Sequence, residues 1–322
     1  MSAQSRNQIR PSGSAHGVLV IDKPKGMTSH DVVSRVRRAF GTRRVGHAGT
    51  LDPMATGVLV LLLGEATKLS SVLTRAEKAY EARVQFGTST SSGDADGSIV
   101  KTAPLESDWL STPELESALE IERKRRLQIP PQVSAIKVAG KRAYASARKG
   151  EPVALAPRDV AVHELSLMCQ GPHHVDLFLR VSKGYYVRSL AVDLGAHLGV
   201  PSHLAELRRT QSGSFDLSSS RTLPLDGSEP LLSIQDAAQQ CLPSLAVSDE
   251  GALRLRQGKH LRTSDLTSAP PPHEFSEVYA AFQREHLLAL VEPCEHKEFR
   301  VKRGFNPLAD SSSSLPPEAN PE

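Results

Sequence analysis

The chain has 322 residues, 39% of them hydrophobic and 23% charged, with a formal net charge of +3. Length suggests about two domains, and the composition argues against a wholly disordered chain. The longest apolar run, residues 58–63, is strand length and too short for a membrane span, while Cys169, Cys241 and Cys294 lie too far apart for a disulfide framework or a thiolate zinc site and fit a reducing cytoplasm.

The polar start of the chain has no apolar signal-peptide core, and residues 1–16 read as a disordered head. Residues 17–21 form a short buried strand, ended by Asp22-Lys23-Pro24-Lys25-Gly26. Thr28 or Ser29 then caps a helix with the apolar stripe Val32, Val33, Val36 and Phe40, and Gly41 closes it. Arg35 and Arg38 fall off that stripe and face solvent or a ligand. Residues 43–57, with three glycines and no apolar period, read as one ordered loop before a buried strand at 58–63. Gly64 leads into a short helix through Leu69, Val72 and Leu73. Tyr80, Ala82, Val84 and Phe86 alternate with Glu81, Arg83 and Gln85, the pattern of a half-buried strand. Residues 88–110 read as irregular, and Asp94-Ala95-Asp96-Gly97 as a turn, since no Glu stands where a calcium loop needs it. Thr112-Pro113 opens a helix with Leu115, Ala118 and Leu119 inward; Pro130-Pro131 breaks any helix there. His173-His174, adjacent in sequence, reads as a loop. Val175, Leu177, Leu179 and Val181 alternate as a second half-buried strand, and 185–198 reads as a helix ended by Gly199. Helices interspersed with alternating strands predict an α+β fold on a largely antiparallel sheet. A composition shift near 242–249 places the boundary between a main domain, 17–245, and a small second domain, 246–308. Residues 309–322 read as a disordered tail.

Charge is bunched. Arg35, Arg37, Arg38, Arg43 and Arg44 stand together, and nine basic residues between Arg123 and Lys149 have no acid among them. Such stretches suit a polyanion partner and equally suit solvated helix faces. Between the first stretch and the buried strand lies Gly46-His47-Ala48-Gly49-Thr50-Leu51-Asp52-Pro53, which offers an imidazole, a carboxylate and accessible backbone. Asp52 can serve as nucleophile or base there; Asp before Pro is also an ordinary turn.

The string from Gly46 through Met54-Ala55-Thr56-Gly57 resembles the active-site motif of the TruB family of tRNA pseudouridine synthases. Further matches follow in the family's order: Asp22 to Ser29, Lys78-Ala79-Tyr80, Pro130 to Lys137, Ser182 to Leu190, and Leu207-Arg208-Arg209-Thr210. They span about residues 17–215. The resemblance implies a pseudouridine synthase fold: a large mixed, mostly antiparallel sheet flanked by helices, with a small PUA-like C-terminal domain. It implies isomerisation of uridine 55 in the TΨC loop of tRNA, with no metal or organic cofactor, no membrane and no obligatory protein partner. By matching positions it implies Asp52 as the essential carboxylate and Arg188 as its partner, lowering the Asp52 pKa by roughly 1–3 units. Tyr80 stacks on the uracil, and Tyr186 and Leu207 line its pocket. His47 holds the flipped-out state. Lys23, Arg123, Arg126 and Lys137 are implied RNA contacts. Two alternatives share the fold: a tRNA-binding or tRNA-folding factor, and a guide-RNA-dependent synthase working inside a ribonucleoprotein.

Overall fold

The computed structural model describes residues 15–106, 108–131, 155–269, 277–295 and 298–306, with the backbone of 137–138 and 141–142. The expected head up to residue 14 and the expected tail lie outside these residues. Ala15 and His16 do not belong to a disordered head: the Glu65 N–H donates to His16 Nδ1 at 2.9 Å.

β1 (Gly17–Lys23) leads to α1 (Ser29–Ala39). Thr28 caps α1 in a reciprocal box, its side chain accepting from the Asp31 N–H while the Asp31 carboxylate accepts from the Thr28 N–H. Val32, Val33 and Val36 are buried, as their spacing predicts. The expected loop at 43–57 is shorter than its glycines suggest. β2 (Val45–His47) pairs with β3 (Thr56–Leu63), leaving residues 48–55 as the loop. A 3₁₀ turn and α2 (Ser70–Leu73) lead into β4 (Lys78–Phe86). Residues 88–110 are not irregular throughout, because β5 (Thr88–Thr90) and β6 (Ile99–Thr102) form a hairpin. Then come α3 (Thr112–Arg123), β7 (Leu127–Gln128), β8 (Lys137–Val138), β9 (Lys141–Arg142), β10 (Arg158–Asp159), β11 (Val162–Gln170) and β12 (His174–Val181). α4 (Val187–His197), β13 (Ser202–Ser212) and β14 (Phe215–Asp216) complete the first unit.

The main sheet runs β1-β3-β13-β4-β12-β11, with β2 also on β3 and β14 on β13. All its pairings are antiparallel except β3 with β13, where Thr56 and Gly57 stand beside Arg208 and Arg209. One core joins Leu59, Leu61, Val84, Leu177 and Leu179 of the sheet to Val32 and Val36 of α1, Leu115 and Leu119 of α3, and Leu190 and Leu194 of α4. This is the expected mixed, mostly antiparallel sheet with helices packed on it.

The chain divides into two compact units at Leu232/Ser233, thirteen residues before the expected boundary at 245/246. The reason lies in α5 (Ile234–Cys241) and β15 (Ser244–Ala246): Leu245 is buried in the second core, and β15 pairs with β16 (Tyr279–Gln283). With α6 (Asp249–Arg256), β17 (His286–Pro293) and β18 (Phe299–Gly304), the second unit holds a sheet in the order β15-β16-β17-β18. Among the described residues no helix is long and apolar enough to cross a membrane.

Candidate active site

The loop at 48–55 is fixed from both ends. Leu51 and Met54, on either side of Asp52-Pro53, are buried in the core. Ser29 Oγ accepts the Leu51 N–H at 2.8 Å and donates to the Leu51 carbonyl at 3.0 Å. The Ala55 N–H closes a turn on the Asp52 carbonyl at 3.1 Å. Gly57 permits the close approach of β3 to β13: its φ is +99°, and a Cβ there would lie 2.1 Å from the Arg209 carbonyl oxygen. With its neighbours turned inward, the Asp52 side chain keeps 34% of its surface open.

Arg188 lies in the first turn of α4 and is 4% exposed. Its Nε stands 2.9 Å from Asp52 Oδ2 as an ion pair, and its Nη2 donates to Oδ1 at 3.3 Å, so the guanidinium faces both carboxylate oxygens. Nη1 donates to the Ser92 carbonyl at 3.2 Å, and Asp94 Oδ2 is 3.5 Å from Nε. A cation in the first turn opposes the helix dipole, and two carboxylates offset that cost. Burial pushes the Asp52 carboxyl above its ordinary value; Arg188 pulls it back, and Asp94 adds to the push. The net direction is upward, opposite to the expected lowering, because that expectation counted the guanidinium and not the loss of water around the carboxylate.

Tyr80 on β4 sits between Leu179 of β12 and Arg209 of β13 in the sheet. It joins Asp52, Arg188, Tyr186 and Leu207 around one cavity of about 280 Å³. Tyr186 precedes α4 and is held by Gln128, whose Oε1 accepts the Tyr186 N–H at 2.7 Å and whose Nε2 donates to its carbonyl at 3.0 Å. Five of the expected site residues therefore meet at one place.

The others do not. His47 lies on β2, partly buried, and is not part of the cavity lining; burial lowers its pKa, with the charge of Arg209 adding to the shift. Lys23 is fully buried and is no surface contact for RNA. Its ammonium donates to the carbonyls of Pro24, Met27 and Pro53 at 3.0, 2.7 and 3.3 Å, and burial lowers its pKa to about 8. Arg123 pairs with Glu116 and Glu120 of its own helix and donates to the Leu165 carbonyl at 2.9 Å. The acid-free window starts three residues after Glu120 and seven after Glu116, although helical spacing puts both alongside Arg123. Arg126 is exposed. Lys137 contributes its backbone to β8, and its side chain lies outside the described residues.

Sequence reasoning missed Asp94, Gln128, Lys78 and Arg209. The turn expected at Asp94 is present, with the Asp96 N–H donating to Asp94 Oδ1 at 3.1 Å. No local signal shows that this turn abuts Arg188.

Two family models cover adjacent stretches. The TruB family pseudouridylate synthase N-terminal domain matches residues 37–187, and the tRNA pseudouridylate synthase B C-terminal domain matches 188–226. The first contains Asp52 and Tyr80, the second Arg188 and Leu207. A protein of Nocardia farcinica named tRNA pseudouridine synthase B is 45% identical over 298 residues, 90% of this chain and 92% of the relative. One of Thermobifida fusca with the same name is 44% identical over 257 residues, 78% of this chain and 88% of the relative. Among solved structures, a chain of a Cbf5-Nop10-Gar1 complex superposes with a TM-score of 0.71 at 24% identity, covering 91% of this chain and 85% of that one. With identity at this level over nearly the whole length, and the paired carboxylate and guanidinium inside the matched regions, the chain belongs to the TruB family of pseudouridylate synthases and is an enzyme of that class.

Proposed function

We propose that this enzyme converts uridine 55 in the TΨC loop of tRNA to pseudouridine, acting without a protein partner, with Asp52 as the essential carboxylate. The observation that carries the reading is the Asp52–Arg188 pair on the wall of a cavity lined also by Tyr80, Tyr186 and Leu207. Such a space suits one planar base, with an aromatic ring for its face and a carboxylate for the chemistry.

The reaction is internally balanced. The bond from ribose C1′ to uracil N1 breaks, the base turns, and C1′ bonds to C5. The C5 proton is lost and N1 gains one, so nothing is oxidised and no second substrate is consumed. Asp52, ionised, supplies the negative charge against which the glycosidic bond breaks. Arg188 holds both carboxylate oxygens and thereby fixes their direction. Tyr80 stacks on the base while it turns, and its hydroxyl is available for proton movement. The uridine must first leave its stacked position in the RNA loop, at a cost of a few kcal/mol. His47, which is not in the cavity lining, takes the part of filling the space that the extruded uridine vacates in the RNA.

Pseudouridine mapping on an unmodified tRNA transcript, incubated with the purified chain alone, tests the reading. One pseudouridine at position 55 is expected. No product, or product only with an added guide RNA, overturns it.

A further inference from the structure

Two buried cations in the cavity wall have no use in the steps above. Lys78, at the start of β4, is 7% exposed, and Arg209 on β13 is 1% exposed. Both line the cavity that holds Asp52. They converge on Gly49: a Cβ there would stand 3.5 Å from Arg209 Nη1 and 3.7 Å from Lys78 Cε. Their described hydrogen bonds all go to backbone carbonyls. Lys78 Nζ donates to Thr74 and Ala76, and Arg209 donates to Val58, Thr50 and Gly49. Carbonyls satisfy N–H groups but do not cancel charge. The nearby carboxylates are already engaged, Asp52 and Asp94 with Arg188, and Asp22 with Arg208.

The consequence is visible at Lys78. Burial first, and then the charges of Arg209 and Lys183, push its pKa down to about 8. Lys183 is exposed and stands between Ser182 and Gly184, both of which line the cavity. Two cations thus press on the Lys78 ammonium, and an ammonium has three donors while Lys78 uses two on carbonyls. An anion held at this place would take the free donor and relieve the repulsion.

We propose that Lys78 and Arg209 form an anion subsite that takes a phosphodiester adjoining the target uridine, with Lys183 at its rim. The inference rests on the reading that an RNA uridine enters the cavity. Lys78 makes the contact, and Arg209 behind it adds a fixed charge. The subsite would seat the sugar-phosphate of the extruded nucleotide while Tyr80 and Leu207 take its base.

The test pairs a change in the protein with a change in the RNA. Stem–loops carrying one methylphosphonate, either 5′ or 3′ of the target uridine, lose one charge and keep their shape. Affinity and single-turnover rate are measured for wild type, Lys78→Met and Lys78→Arg. In wild type, one of the two methylphosphonates should weaken binding about ten- to a hundredfold. With Lys78→Met the same modification should cost less than about twofold, and with Lys78→Arg the penalty should persist, because contacting groups are non-additive. Additive losses in Lys78→Met overturn the subsite, as does a wild type indifferent to both methylphosphonates, a result that needs no variant to fold. Failure of wild type to form pseudouridine on the unmodified stem–loop removes the underlying function. Product formation with no methylphosphonate penalty removes this inference alone.

Discussion

At the end of α3, Arg123, Lys124 and Arg125 each meet a carboxylate of the same helix. Around the Asp52 loop, Lys23, Lys78 and Arg209 instead donate to backbone carbonyls and are almost fully buried. The first arrangement neutralises charge, for Arg123 and Lys124 near water, where an exposed pair contributes roughly 0–1 kcal/mol, and for Arg125 on the buried Glu122. The second leaves charge in place and spends the donors on loop geometry. Density of Lys and Arg along the sequence is therefore not a map of open charge: at the described start of the most basic run Arg123, Lys124 and Arg125 are paired with carboxylates, while the isolated cations Lys23, Lys78 and Arg209 hold backbone carbonyls around the Asp52 loop.

The largest expected effect tests whether the buried region carries the chemistry. Asp52→Asn should lower turnover by about 10⁴-fold or more, since the amide is not an anionic group, with RNA affinity little changed. Pseudouridine formation and binding measured on the same preparation check this, and near-normal turnover would move the chemistry elsewhere.

Arg188→Lys comes next. A point charge replaces the fork that holds both oxygens of Asp52, and a fall in kcat of about 10²-fold is expected from lost alignment. The pH profile adds a sign. In the proposed reading Asp52 acts ionised, and burial already raises its pKa, so activity should fall as pH falls through that raised value. Weaker pairing should move this acid limb to still higher pH. A limb unmoved in kcat–pH measurements would show that Arg188 does not govern the ionisation.

Lys23→Met tests the carbonyl clamp. Carbonyls of Pro24, Met27 and Pro53 lose their donor, and a stability loss of about 1–3 kcal/mol is expected, read from the denaturant midpoint. An unchanged midpoint would mean that the ammonium is dispensable to the loop.

The smallest effect sharpens the contrast at α3. Arg126→Gln should reduce the salt slope of RNA binding by roughly 0.7–0.9 if this exposed residue meets a phosphate. Arg123→Gln, already paired with Glu116 and Glu120, should leave the slope unchanged. Equal effects would erase the distinction between paired and open cations.

What the sequence revealed follows from how local each signal is. Tyr80, Ala82, Val84 and Phe86 keep a period of two along β4, and Val32, Val33 and Val36 keep the helical stripe of α1. β13 escaped notice because its pairing slips between Leu204 and Glu206 and because an arginine occupies a buried position at 209. β11 runs along the sheet edge with Leu165 its one buried residue among the nine, so alternation is faint there. In the site, Asp52 and Arg188 came from their motifs, whereas the meeting of Asp94 with Arg188 depends on packing between a turn and a helix far apart in sequence.

The parallel contact of β3 with β13 sets when this enzyme can begin to work. Arg209 reaches the Val58 carbonyl across 151 positions, and Leu207 supplies cavity wall from the same late strand. During synthesis Asp52 emerges early, on a loop whose supports have not yet been made. Closing so long a loop is slow compared with forming the hairpins beside it. The first activity of a growing chain would thus report completion of the sheet through residue 212, and a fragment ending before β13 would carry the aspartate without the place in which it acts.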